Sequence, residues 1–232
     1  MPDRDAEQFN VVADFSPERN PNGPWSYGSA VRPGELVRFS ERQSDAIVQR
    51  WYPRPDVDFP DARRNVSGKS FFRDGALLPV DALILRPGHR LEHMRTYSVV
   101  RFTAPGPGAY RFRGRFEAVA ISYGGTTQLI VHGEQKLAEN TFINAHGQIW
   151  EFDQRQDLRA GEWVDFLVSN SPQGDNSNDD TGLALTVAWQ TPRSPLWWGG
   201  LVGATLAGLV AWRMRRSSKR NDTGSSRIGT GV

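Results

Sequence analysis

Apolar and polar residues alternate with a period of two from Gln8 to Gln190, in the runs FNVVADF, ELVRFS, AIVQRWY, YSVVRFTA, AYRFRGRFEAV, TTQLIVHG, QIWEFD, EWVDFLVS and LALTVAW. Successive side chains of a strand point to opposite faces, so each run predicts a strand with one buried side and one wet side. In AYRFRGRF, Tyr110, Phe112, Gly114 and Phe116 share one face and Arg111, Arg113 and Arg115 the other. The first face predicts core, and the arginines predict a solvated surface. Turn chemistry separates the runs at Asn20–Pro24, Arg32–Glu35, Ala104–Gly108, Tyr123–Gly125 and Arg159–Glu162. Nine or so strands without intervening helices imply two packed antiparallel sheets.

The pattern changes at Leu196. LWWGGLVGATLAGLVAW, ending at Trp212, is seventeen residues without a charge, about 25 Å of helix and enough for a thin hydrocarbon layer. Trp197 and Trp198 at one end and Trp212 at the other fit the two interfaces, and Arg213, Arg215, Arg216, Lys219 and Arg220 follow as a stop signal. One cation, Arg193, lies on the N-terminal side against six Lys/Arg after Trp212, which predicts a cytoplasmic tail and an exported body. MPDRDAEQFN has no apolar stretch to act as a leader, so this topology expects either a start upstream of Met1 or, failing that, a tail-anchored protein with a cytoplasmic body. The expected organisation is residues 1–7 disordered, 8–190 a β-sandwich, 191–195 a linker, 196–212 a transmembrane helix and 213–232 a basic disordered tail. Gly199, Gly203 and Gly208 place small residues along the helix, which suits homodimerisation by close packing.

Composition sharpens this picture. Aromatics at 11%, with 23 Gly and 15 Pro, favour short strands and turns. The net charge of +2 hides a division: from Arg193 onward there are seven Lys/Arg against one Asp, so the body is slightly acidic. Nucleic acid is therefore not an expected partner. The absence of cysteine excludes disulfides and thiolate metal sites.

Candidate chemistry is sparse. Asp175, Asn176, Asn178, Asp179 and Asp180 are oxygen donors dense enough for a structural Ca²⁺, although the same residues build ordinary turns and Asp180 also suits a cap on the final strand. His89, Glu92 and His93 match the H-x-x-E-H zinc pattern, but they follow Pro87 and Gly88 and run into a strand, without the helix that chemistry needs. His132 and His146 have no recognisable nucleophile partner, and Glu151 with Asp153 reads as a wet strand face. No enzyme activity and no cofactor beyond that calcium are expected. Trp25, Tyr27, Trp51, Tyr52, Tyr123 and Trp150 are candidate stacking platforms for sugar rings, the alternative for each being a place in the core. Trp163 and Trp189, inside strand patterns, are expected in the core.

The stretches DFSPERNPNGPWSYG (Asp14 to Gly28), YSVVRFTAPGPGAYRFRGRFE, DLRAGEWVDFLVSN and DDTGLALTV together resemble a jelly-roll-like β-sandwich domain of bacterial envelope proteins, often found with PEP-CTERM sorting tags. The resemblance covers about residues 8 to 190 and implies a secreted or surface location, with carbohydrate as a ligand class. The tag is not matched: TPRSPLWW stands where Pro-Glu-Pro belongs, and twenty residues follow the helix. The Trp-Trp helix is also similar to the junction of periplasmic sensor domains in bacterial kinases, without a signalling module after it. The expectation is a membrane-anchored extracytoplasmic binding or adhesion module. The alternatives are a structural envelope protein contacting other proteins, or an orphan sensor signalling through helix dimerisation.

Overall fold

The computed structural model describes residues 7–54, 59–88, 96–121, 125–143, 146–171 and 179–190. Chain contacts divide the protein at Pro192, and the second unit, Arg193–Val232, lies wholly outside the described residues. The expected transmembrane helix, with Gly199, Gly203 and Gly208, lies there too. Among the described residues no helix is long and apolar enough to cross a membrane.

The described residues form strands and turns without a helix. In chain order the strands are β1 (Glu7–Asn10), β2 (Trp25–Ala30), β3 (Val37–Arg38), β4 (Glu41–Ser44), β5 (Val48–Tyr52), β6 (Asp61–Asn65), β7 (Phe71–Arg73) and β8 (Ala76–Leu78). They continue with β9 (Leu83–Arg86), β10 (Tyr97–Thr103), β11 (Gly108–Ala118), β12 (Gly125–His132), β13 (Gln135–Ile143), β14 (Ile149–Leu158), β15 (Trp163–Asn170) and β16 (Thr181–Gln190). The larger sheet runs β14-β11-β16-β9-β6-β5-β4, and the smaller runs β13-β12-β15-β10-β2-β3. Every pairing is antiparallel. From β9 onward the chain passes repeatedly between the sheets, as in a jelly roll. β9 and β1 lie end to end along one side of β16, β9 against Thr181–Leu183 and β1 against Thr186–Trp189, with Val11 N–H donating to Leu185 O between them.

The core between the sheets is aromatic. Phe102 of β10 meets Phe112 of β11 edge-on at 5.5 Å, and Phe166 of β15 packs on Phe112 and on Phe152 of β14 at 5.9 and 5.6 Å. Tyr110, Phe112 and Phe116 are all buried, as the alternation predicts, whereas Arg113 is exposed and Arg111 and Arg115 half-buried. A Cβ on Gly114 would run into the carbonyl of Ala184 on β16, so this position takes only glycine.

Two features depart from the expected pattern. FNVVADF does not continue as a strand beyond Asn10. The Asn10 side chain accepts hydrogen bonds from the Val12 and Ala13 amides, and Asp14 accepts one from the Asn10 amide, so local side-chain bonds turn the chain while Val11, Val12 and Phe15 still enter the core. Secondly, β10, β12 and β15 are buried on both faces. Their outward residues Tyr97, Val99, Leu129, Val131 and Leu167 form a second apolar cluster with Ala30, and Leu36 packs against it. The adjacent apolar pairs in SVV, LIV and FLV carry that signal, since a strand buried on both sides needs no alternation.

A third apolar cluster lies on the outer face of the larger sheet. Asp74 and Gly75, both at positive φ (51° and 78°), make the two-residue turn that joins β7 to β8. This hairpin presses Ala76 and Leu78 onto Val48, Ile84 and Val119. Asn65 holds it, donating from Nδ2 to the carbonyls of Leu78 and Lys69 at 2.7 and 2.8 Å.

Candidate functional site: an arginine-lined cavity on the larger sheet

Beside that hairpin opens a cavity of about 370 Å³. Strands β4, β5, β6, β7 and β9 supply Gln43, Val48, Arg50, Arg63, Arg73 and Arg86, the hairpin turn supplies Asp74, and flanking loops supply Asp45 and Phe59. Strand parity explains the placement. Trp51, Ala62 and Leu85 point into the main core, so Arg50, Arg63 and Arg86 beside them point to the outer face.

The floor is an ion network. Asp180, just before β16, is fully buried and accepts from Arg86 twice, Nε to Oδ1 at 2.7 Å and Nη2 to Oδ2 at 2.8 Å. Its Oδ1 also accepts from Arg63 Nη2 at 2.6 Å. Burial is the largest single influence on this carboxyl and would raise its pKa, but Arg63 and Arg86 together outweigh burial and hold it below the usual value. Asp61 is the opposite case. It is fully buried, its Oδ1 and Oδ2 stand 3.6 Å from Arg63 Nε and Arg50 Nη1, and neither oxygen accepts a hydrogen bond among the described residues. Burial pushes its pKa up, with the Asp180 charge adding to the shift and the arginines opposing it. Arg63, itself 4% exposed, has an Nε without a hydrogen-bond partner among the described residues.

The rim is better compensated. Arg73 Nη1 donates to Asp45 at 3.1 Å, and its Nε stands 3.6 Å from Asp74. The Val48 and Ile47 amides and then Arg73 lower the Asp45 pKa. The Arg86 guanidinium lies 4.8 Å over the Phe59 ring, and Arg50 lies 4.6 Å over Tyr52.

The candidate aromatic platforms do not gather at one place. Trp25, Tyr27 and Trp51 are buried in the main core and offer no face to a ligand. The turn-rich motif around them is an internal lock. Asn20 donates to the carbonyls of Tyr27 and Phe39 and accepts from the Tyr27 amide, Trp25 Nε1 donates to Asp14, and Trp51 Nε1 donates to Ser16 O at 2.7 Å. Trp150 is half-buried, stacked on Phe116 at 5.6 Å. Tyr52, half-buried under Arg50, stays near the cavity, and Tyr123 lies outside the described residues. Trp189 packs on the core, stacked with Tyr110 at 5.7 Å, and Trp163 lies half-buried under Arg101.

Of the calcium candidates, Asp175, Asn176 and Asn178 lie outside the described residues, while Asp179 and Asp180 are buried. Asp180 gives both oxygens to the guanidinium groups of Arg63 and Arg86, so it ties the start of β16 to β6 and β9 instead of facing a metal ion. Among the described residues no group of three His, Asp or Glu could hold a metal ion. His89, Glu92 and His93 lie outside the described residues. His132 stands 4.0 Å from Glu162, and His146 bonds the Ala120 carbonyl. No local pattern groups the cavity arginines, because Arg50, Arg63 and Arg86 come from three different strands, VQRWY, DARRN and LILR. Only the pairing order β5-β6-β9 brings them side by side.

No protein-family model matches the chain, and no curated protein does. Among solved structures it is similar to the K1 cleaved adhesin domain of Lys-gingipain from Porphyromonas gingivalis W83, at 12% identity and a TM-score of 0.37, over 80% of this chain and 99% of that one. It is also similar to a family 35 carbohydrate binding module from Clostridium thermocellum, at 17% identity and a TM-score of 0.28, over 40% of this chain and 69% of that one.

Proposed function

We propose that this chain is a sugar-binding module displayed outside the cell on a single membrane-spanning helix. The cavity carries the binding half of the reading. Sugar hydroxyls both donate and accept, and the lining sets guanidinium donors against the acceptors of Asp45, Asp74 and Gln43, with Phe59 and Val48 as apolar contacts. Its volume falls in the range of small-molecule sites, about 300–1,000 Å³. Most of its polar groups stand on paired strands, which hold them in fixed geometry at little entropic cost. The anchoring half rests on the charge-free run Leu196–Trp212 and the cations after it. No catalytic step and no metal belong to this reading.

A glycan array probed with the full chain in detergent tests the binding half. The expected result is capture by a subset of glycans, weakened by Phe59→Ala. An empty array, or capture indifferent to Phe59→Ala, rejects the cavity as a sugar site. Protease added to intact cells tests the anchoring half, the expectation being digestion of the sandwich and protection of the last twenty residues.

A further inference from the structure

The charges at the cavity floor are unequally matched. Two guanidinium groups, Arg63 and Arg86, hydrogen-bond a single carboxylate, Asp180. The other buried carboxyl, Asp61, approaches Arg63 only to 3.6 Å and makes no hydrogen bond among the described residues. Both guanidinium groups meet Asp180 at hydrogen-bond distance, and both also line the cavity, where Arg50, Arg63, Arg73 and Arg86 stand against Asp45 and Asp74, so the surface a ligand meets carries an excess of positive charge.

We infer that the cavity takes an acidic sugar, with the oxyanion of the sugar seated on Arg63 and Arg86 and the ring beside Phe59. This deepens the sugar-binding reading and rests on it. Planar guanidinium groups bind carboxylates and sulfate esters alike, so the shared chemistry is an anionic group on a sugar. Asp61, 3.6 Å from Arg63, then competes with the ligand for that guanidinium. Burial raises the Asp61 pKa, so that competition weakens as pH falls.

Isothermal titration of the full chain in detergent, with four probes, decides the matter: trigalacturonate, the same trisaccharide with its carboxylates reduced to alcohols, a sulfated galactose trisaccharide, and inorganic phosphate. Trigalacturonate or the sulfated sugar is expected to bind at least about ten-fold more tightly than the neutral one, and the preference is expected to fade between about 0.05 and about 0.5 M salt. Arg86→Gln is expected to weaken acidic-sugar binding by about ten-fold or more. Because Arg86 also supports the fold, Asp61→Asn provides an independent readout: removal of the competing carboxyl is expected to tighten binding several-fold. Equal binding of neutral and acidic sugars, or weaker binding in Asp61→Asn, overturns the acidic ligand and leaves a sugar site. Binding of phosphate alone overturns the sugar as well, and so does a lack of binding by all four probes.

Discussion

Two groups of arginine stand on the outer face of the larger sheet, one in water and one beneath cover. On β11, Arg111 grips Asp153 of β14 through two hydrogen bonds at 2.8 and 2.5 Å, Arg113 joins at 3.2 Å, and Arg115 reaches Asp81 at 2.7 Å. On β6 and β9, Arg63 and Arg86 grip Asp180 with similar distances, but the carboxylate has no contact with solvent. The bonds look alike and their consequences differ. An exposed pair exchanges water for protein at nearly equal free energy. A buried pair, once broken, strands an unsolvated charge. Similar geometry therefore decorates the sheet at one end and fastens it at the other.

The sharpest way to break this contrast is to remove each carboxylate. Asp180→Ala leaves two arginines without their shared anion and removes the side-chain tie between the start of β16 and strands β6 and β9. We expect it to lower stability by about 3–5 kcal/mol, measured by denaturant unfolding of the full chain in detergent. A loss similar to that of a surface mutation would place Asp180 with the solvated group.

The next largest effect is in pH dependence. Burial raises the folded pKa of Asp61 above the unfolded value of about 3.9, so its contribution to stability is present below pH 4 and lost as pH rises through the folded value. Asp180 runs the other way. Its folded pKa is depressed, so its contribution is present above about pH 4 and lost as pH falls. Asp61→Asn is therefore expected to gain stability relative to the parent chain as pH climbs above about 4, while both retain acid unfolding. Melting curves from about pH 3 to about pH 8 check this, and parallel profiles would show that Asp61 is not held against its charge.

The smallest effect belongs to the wet group. Arg111 and then Arg113 hold the Asp153 carboxyl well below the usual range by hydrogen bonding to its charged form, yet water screens the exchange. Asp153→Asn is expected to shift Tm by less than about 2 °C.

How legible each group was follows from the same contrast. Arg111, Arg113 and Arg115 alternate with Tyr110, Phe112 and Phe116 in one run, so a single strand discloses both faces, and its burial follows the alternation. Arg63, Arg86 and Asp180 lie in separate segments up to 117 residues apart, and nothing local announces their meeting. The Asp- and Asn-rich segment before Asp180 suits a calcium ligand or a cap on the final strand, whereas the partners of Asp180 come from other strands. Trp25 and Tyr27 also stand among turn residues. Their turn-rich flanks suit either an anchor in the core or a ligand platform, and the turns fold inward through Asn20 and Asp14 to close over the rings. Asp74–Gly75 has the residues of a hairpin turn, whereas the surface that hairpin covers is assembled from distant strands.

The most direct measurement follows the arginine side-chain Nε–H resonances of the full chain in detergent during titration with trigalacturonate. The resonances of Arg63 and Arg86 are predicted to move while those of Arg111, Arg113 and Arg115 stay in place. Movement confined to the β11 arginines, or none in either group, would contradict the assignment of the cavity as the binding site.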